Sequence, residues 1–193
     1  MSAPQPEYLT LARIDAPFGA FLIATDHEGV LRAVDFWANE PRLRAQLSRQ
    51  YGDVSVEHGQ APAPILSAFA DYFAGEIRAL ERVPVATVGT DFQQKVWAAL
   101  QRIPAGQTWS YGQLAREIGE PDAARAVGIA NGQNPIAIVI PCHRVIGADG
   151  SLTGFGGGLP RKRWLLNHEG AAFKENRRDV LKAIARRQPE LAL

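Results

Sequence analysis

Short apolar and β-branched runs alternate with turn residues at the start of the chain. Tyr8–Ile14, Phe18–Thr25 and Val30–Phe36 each have the length of a strand, and Asp26-His27-Glu28-Gly29 separates the last two, so the spacing predicts a small β-meander. The period then changes. Pro41–Tyr51 has helical spacing with charged faces, and Pro64–Gly75 sets Leu66, Phe69, Ala70 and Phe73 on one stripe ended by a glycine. This half reads as α+β. Its histidines, His27 and His58, stand apart from any partner and read as loop or surface imidazoles. Glu81–Gly89 reads as a connecting stretch, which divides the chain into an α+β domain over 1–84, a linker over 85–89, a second domain over 90–170 and an extension over 171–193.

The second half is patterned for helices. Thr90-Asp91-Phe92-Gln93 is a capping-box sequence opening a helix with Phe92, Val96, Trp97 and Leu100 along one side, stopped by Pro104-Ala105-Gly106. Ser110-Tyr111-Gly112-Gln113 repeats the Ser-x-x-Gln cap ahead of Leu114, Ala115 and Ile118. After Gly119, Pro121-Asp122 makes a turn and an N-cap for Ala123–Ala130. Two short helices with a glycine between them form a helix-turn-helix candidate. Such pairs are common packing units, so spacing alone leaves DNA binding open. The second helix carries Ala, Gly and one long side chain, Arg125. Its backbone can approach a groove closely, but it lacks the several base-reading side chains of a sequence-specific recognition helix.

Composition narrows the class. With 193 residues, 46% hydrophobic and 21% charged, the chain can bury a sizeable core and is neither disordered nor fibrous. No run approaches the length of a membrane span, and the opening Met-Ser-Ala-Pro-Gln-Pro-Glu lacks the flank and apolar stretch of a secretory signal. A cytoplasmic protein without a membrane partner is expected. The net charge of +1 hides an asymmetry: residues 1–89 hold 7 Lys and Arg against 11 Asp and Glu, whereas 90–193 hold 14 against 9. If nucleic acid is a partner, the second half meets it.

Cys142 is the only cysteine, which rules out an internal disulfide and any cysteine-rich zinc site. Ile136–Ile140 is a continuous apolar run that reads as a buried strand, ended by Pro141 just before Cys142-His143-Arg144. A free thiol is only a few per cent ionised at neutral pH, so a nucleophile needs a base or a positive neighbour. His143 and Arg144 are the candidates. Adjacent side chains on an extended chain point apart, so His143 is expected to act through a water or after a turn. Val145-Ile146 and Ala148-Asp149-Gly150 read as a strand and tight turn. The glycines of Gly154-Phe155-Gly156-Gly157-Gly158 leave room for a flat ligand. Pro160 opens a helix reaching His168-Glu169 before Gly170, from whose end Glu169 can return to hold an imidazole. Arg161-Lys162-Arg163 reads either as a wet first turn or, because three cations oppose the macrodipole there, as a phosphate contact.

Ile140-Pro141-Cys142-His143-Arg144-Val145, with Ala124-Arg125-Ala126-Val127-Gly128 and Asn134-Pro135 before it and Trp164-Leu165-Leu166-Asn167-His168-Glu169-Gly170 after it, resembles the O6-alkylguanine-DNA alkyltransferases in their bacterial Ogt form. The resemblance runs from about Thr90 to Gly170 and, less specifically, over the first half. It implies a ribonuclease H-like N-terminal domain and a winged-helix-like C-terminal one. It also implies direct repair of O6-alkylguanine and O4-alkylthymine in double-stranded DNA, by one irreversible transfer of the alkyl group to Cys142, without cofactor or metal. By the same resemblance His143 takes the thiol proton through a water, Glu169 orients the imidazole and Asn134 braces the turn. Tyr111 helps rotate the nucleotide and donates a proton toward guanine N3. Arg125 fills the vacated stack while Ala124, Ala126 and Gly128 meet the minor groove with little sequence preference. Pro141, Val145, Phe155, Gly156 and Gly157 form the alkylguanine pocket, with the Cys142 and Val145 carbonyls accepting from the guanine amino group. A monomer is expected, with cooperativity on DNA left open.

Phe155 stands where many members carry Tyr, Gly156 where Ser or Ala is usual, and Ala137 where some have Pro. These departures point to tolerance of alkyl groups larger than methyl. Three rival readings stand beside this one: a lesion sensor that binds without repairing, which Cys142 argues against; a Cys-His hydrolase, which needs an oxyanion hole and turns over; and a regulator, which needs more base readers than Arg125. Val180, Leu181 and Ile184, among several cations, give the extension an amphipathic character.

Overall fold

A computed structural model of the protein describes residues 6–36 and 40–175. The first three strands are β1 (Tyr8–Ile14), β2 (Phe21–Thr25) and β3 (Leu31–Asp35), followed by helix α1 (Glu40–Tyr51), strand β4 (Ser55–His58) and helix α2 (Ala63–Phe73). The sheet order is β3-β2-β1-β4, with β4 parallel to β1. The expected meander is present, although β2 begins three residues late because Phe18 lies in a turn whose Gly19 has φ 103°. β4 has one apolar residue in four and carries no strand pattern; it forms by pairing with the exposed edge of β1.

Alternation divides the sheet's two faces. Leu9, Leu11, Ala24 and Ala33 pack against Leu43, Leu47 and Tyr51 of α1. Ile14, Phe21, Ile23 and Val34 point the other way, into a core that continues through Phe69 and Tyr72 to Val96, Ile136, Cys142 and Leu165. Each fully buried Leu or Phe contributes about 2 kcal/mol, and here one core spans both halves. In α2 the buried stripe is Ile65, Ala68, Phe69 and Tyr72, turned by about one residue from the expected one, and Leu66 is left 42% exposed. The connecting stretch lies along β3: Leu31 donates to the Pro84 carbonyl and Ala86 to that of Leu31.

The second half comprises α3 (Asp91–Leu100), β5 (Trp109–Ser110), α4 (Tyr111–Glu117), α5 (Ala124–Gly132), β6 (Val145–Ile146) and α6 (Leu159–His168). Both capping boxes form, Thr90 with Gln93 and Ser110 with Gln113, satisfying backbone donors at the starts of α3 and α4. The N-cap of α5 is Ala123 and makes no side-chain cap bond, so Asp122 does not serve as expected. Helices α4 and α5 pack against each other, and a Cβ at Gly128 would stand 3.6 Å from the Tyr111 ring. β5 pairs with β6, tying the entry of the helix pair to the residues after the cysteine. The amphipathic segment expected around Val180–Ile184 lies outside the described residues.

Candidate active site

The largest departure from expectation lies just before the cysteine. Ile136–Ile140 is a closed turn instead of a strand. Asn134 is the cause: its Oδ1 accepts from the Ile136 N–H at 3.0 Å and its Nδ2 donates to the Ile140 carbonyl at 2.8 Å. A side chain that bonds nearby backbone diverts it from a ladder. The turn holds Ile138 at φ 76°, in the left-handed region that disfavours a β-branched residue. Strand β3 adds an outer clamp, its Val34 N–H donating to the Pro135 carbonyl at 2.8 Å.

Cys142–Arg144 then forms one 3-10 turn, so Cys142 and His143 are neighbours on a tight curve and not on an extended chain. Both are buried. His143 Nε2 meets Glu169 Oε1 at 3.0 Å. A carboxylate only accepts, so Nε2 carries the proton and Nδ1 of the neutral ring is left as an acceptor. Nδ1 is buried and makes no hydrogen bond within the described protein. Arg144 does not supply charge to the thiol as a free neighbour. It donates from Nε to Glu169 Oε2 at 2.8 Å, from Nη2 to Oε1 at 2.9 Å and from Nη1 to the Ile103 carbonyl at 2.7 Å. Glu169, at the end of α6, is 4% exposed and is no solvated helix end.

Electrostatics follow from burial and these partners. Burial pushes the Cys142 thiol up, while Asn134 and the Lys162 ammonium pull it back. Burial pushes His143 down and outweighs the opposing pull of Glu169, so the ring is neutral at physiological pH. Burial opposes ionisation of Glu169, but His143 and Arg144 overcome it and hold its carboxyl far below the usual range. The resting pair is therefore a neutral thiol and a neutral imidazole.

Arg161-Lys162-Arg163 is not a wet first turn, because its central cation is buried. Lys162 is fully buried, its Nζ donating to the carbonyls of Val145 at 2.6 Å and Thr153 at 2.7 Å. Burial lowers its pKa to about 8, with Cys142 acting the other way. Arg161 bonds the Gly157 carbonyl and Arg163 pairs with Glu175. Lys162 was missed as part of the site. Its signal was the spacing of Lys162, Leu165, Leu166 and Glu169, one inward-facing stripe of α6.

A cavity of about 430 Å³ opens over the thiol, lined by Cys142, Asn134, Phe155 and Gly156 together with Phe36 and side chains of α1. Phe155 packs on Phe36 with ring centres 5.2 Å apart, so the N-terminal half backs the pocket wall. A Cβ at Gly156 would meet nothing within 4 Å, whereas one at Gly157 would stand 2.7 Å from the Phe36 ring. Val145 is buried and Pro141 lines a separate, smaller cavity with Arg144, so neither lines the cavity over the thiol as expected. Tyr111 starts α4 and its hydroxyl accepts from Thr153 Oγ1 at 3.3 Å. On α5, Arg125 and Ala126 are exposed, Ala124 and Gly128 are half-buried, and Ile129 is 58% exposed. No helix among the described residues is long and apolar enough to cross a membrane.

Residues 91–171 match the family described as 6-O-methylguanine DNA methyltransferase, DNA binding domain. Over 160 residues the chain is 47% identical to a methylated-DNA–protein-cysteine methyltransferase of Salmonella typhimurium, covering 82% of this chain and 94% of the relative. Its identity to the Methanosarcina acetivorans protein of the same description is 44%, covering 83% and 97%. The crystal structure of Mycobacterium tuberculosis OGT in complex with DNA superimposes with a TM-score of 0.69 at 43% identity, over 83% of this chain and 92% of that one. A second structure of the Mycobacterium tuberculosis O6-methylguanine methyltransferase gives 0.68 at 41% identity, over 92% and 98%. The chain belongs to the methylated-DNA–protein-cysteine methyltransferases, DNA-binding suicide enzymes that repair O6-alkylguanine directly by moving its alkyl group onto a cysteine of the protein.

Proposed function

We propose that Cys142 is the acceptor and that the residues around it act as one proton relay. The observation that carries this reading is the position of the chain's only thiol in the cavity, adjoining the buried His143–Glu169 pair. The thiol proton passes through a water to His143 Nδ1, whose neighbour nitrogen is held by Glu169. The thiolate, steadied by Asn134 and Lys162, attacks the alkyl carbon in line. A carbon–sulfur bond forms, the bond from that carbon to guanine O6 breaks with its electron pair on the base, and Tyr111 supplies a proton at N3. Tyr111 regains its proton from solvent and the imidazolium releases its own. The thioether is stable, so each molecule acts once.

A base inside the duplex is out of reach and must leave the stack, at a cost of a few kcal/mol. Arg125, exposed and without an ion pair among the described residues, fills the gap. Ala124, Ala126 and Gly128 let α5 lie close in the minor groove. Phe155, Gly156 and Gly157 border the base, and the open space at Gly156 admits alkyl groups larger than methyl. The protein binds duplex DNA as a monomer with little sequence preference and accepts O4-alkylthymine as a second lesion. A lone reduced thiol suits the cytoplasm.

The test uses a duplex whose restriction site is blocked by one O6-methylguanine. Incubation should restore cutting in proportion to the protein added, one site per molecule, with none restored by Cys142→Ala. Restoration by that variant, or by catalytic amounts of protein, would overturn the reading.

A further inference from the structure

Tyr72 belongs to α2 in the N-terminal half, is fully buried, and donates its hydroxyl to Glu169 Oε1 at 2.9 Å. The same oxygen accepts from His143 at 3.0 Å and from Arg144 Nη2 at 2.9 Å. No step of the proposed reaction uses Tyr72, and a Phe there would fill the core as well. The ring is fixed from two sides. It packs edge-on against Phe73 and His168, with centres 5.6 and 4.9 Å away, and its carbonyl meets His168 Nε2 at 2.6 Å.

We infer that Tyr72 is a positioning residue for alkyl transfer, through which the N-terminal half shares the charge of Glu169 and thereby keeps His143 neutral and ready to take the Cys142 proton. The inference rests on the reading of His143 as the base. A carboxylate oxygen that accepts another hydrogen bond has less negative charge to offer an imidazolium. The groups facing His143 are Glu169 from the end of α6, which favours its protonation, and Arg144 and Lys162, which oppose it. Those facing Tyr72 are Glu169 and Arg144, with the His168 ring against its own ring. Burial first, and Glu169 second, keep the phenol protonated, so it donates throughout the working range.

The experiment follows single-turnover transfer from an O6-methylguanine duplex between about pH 5.5 and 8.5 for the full chain and Tyr72→Phe, with duplex affinity and melting temperature measured alongside. The acid limb of the variant should move up by about half to one pH unit, making it roughly three- to tenfold slower on the acid side of the wild-type midpoint. Its alkaline plateau should not fall and its duplex Kd should be unchanged. Site-specific 3-fluorotyrosine at position 72 keeps the packing and donates more strongly, so it should move the limb the other way. An unmoved midpoint in both proteins, or an equal loss at every pH, overturns the inference. If the wild-type protein itself transferred nothing, the reading beneath it would fail instead.

Discussion

His143 Nε2 lies 3.0 Å from Glu169 Oε1, and both side chains are completely removed from solvent. Glu169 also neutralises Arg144, so this one carboxylate holds the imidazole and compensates a buried cation. Glu169→Gln should lower the transfer rate at least tenfold and the stability by about 3 kcal/mol, because it leaves Arg144 buried without a counter-charge. The sign of the pH dependence follows from the depressed carboxyl. Its stabilisation is complete above the ordinary value of 4.5 and is lost as pH falls toward the lower folded value. Acid titration of melting temperature should show this component in the wild type and lack it in the variant.

Lys162 places a buried ammonium against two carbonyls near the thiol. Lys162→Met removes the charge with little change in length. The midpoint for alkylation of Cys142 by a small haloacetamide, followed against pH, should then rise by about one unit. An unmoved midpoint would remove Lys162 from the account.

In the proposed reaction Arg125 serves the duplex and not the chemistry. Arg125→Ala should slow transfer from an O6-methylguanine duplex roughly tenfold, the cost of losing the side chain that replaces the extruded base. Transfer from the free base O6-benzylguanine should be unchanged. Equal loss on both substrates would place Arg125 elsewhere in the mechanism.

The two adjacent glycines should respond differently. Gly156→Ser fills open space, so it should fold normally and lower the ratio of benzyl to methyl transfer several-fold. Gly157→Ala drives a methyl into the Phe36 and Phe155 rings and should cost about 1 to 3 kcal/mol in a denaturant titration. A benzyl-to-methyl ratio unchanged in Gly156→Ser would end the wide-pocket explanation.

What the sequence made legible was whatever local chemistry decides. The two capping boxes and the helix pair follow from short-range patterns and are found in place, and the family resemblance pointed to the pairing of Glu169 with His143. Two failures share a cause. Ile136–Ile140 has the composition of a strand, but the Asn134 amide closes it into a turn. β4 has almost no strand composition, but the free edge of β1 recruits it. In both, partners outside the window overrode the pattern. The contribution of α2 was hidden by a rotation of about one residue. A stripe through Leu66 and Phe73 leaves Tyr72 off the core, whereas the observed stripe aims it at Glu169. Lys162 was obscured by its neighbours Arg161 and Arg163, since three cations in a row read as surface until tertiary packing turns one of them inward.

The central claim is that Cys142 receives the alkyl group and keeps it. Peptide-level mass spectrometry after reaction with a duplex carrying one O6-methylguanine tests this most directly. One added methyl per chain is expected, localised to the peptide containing Cys142, saturating at a single equivalent and absent from Cys142→Ala. An unmodified Cys142 beside repaired DNA, or a methyl on any other residue, would contradict it.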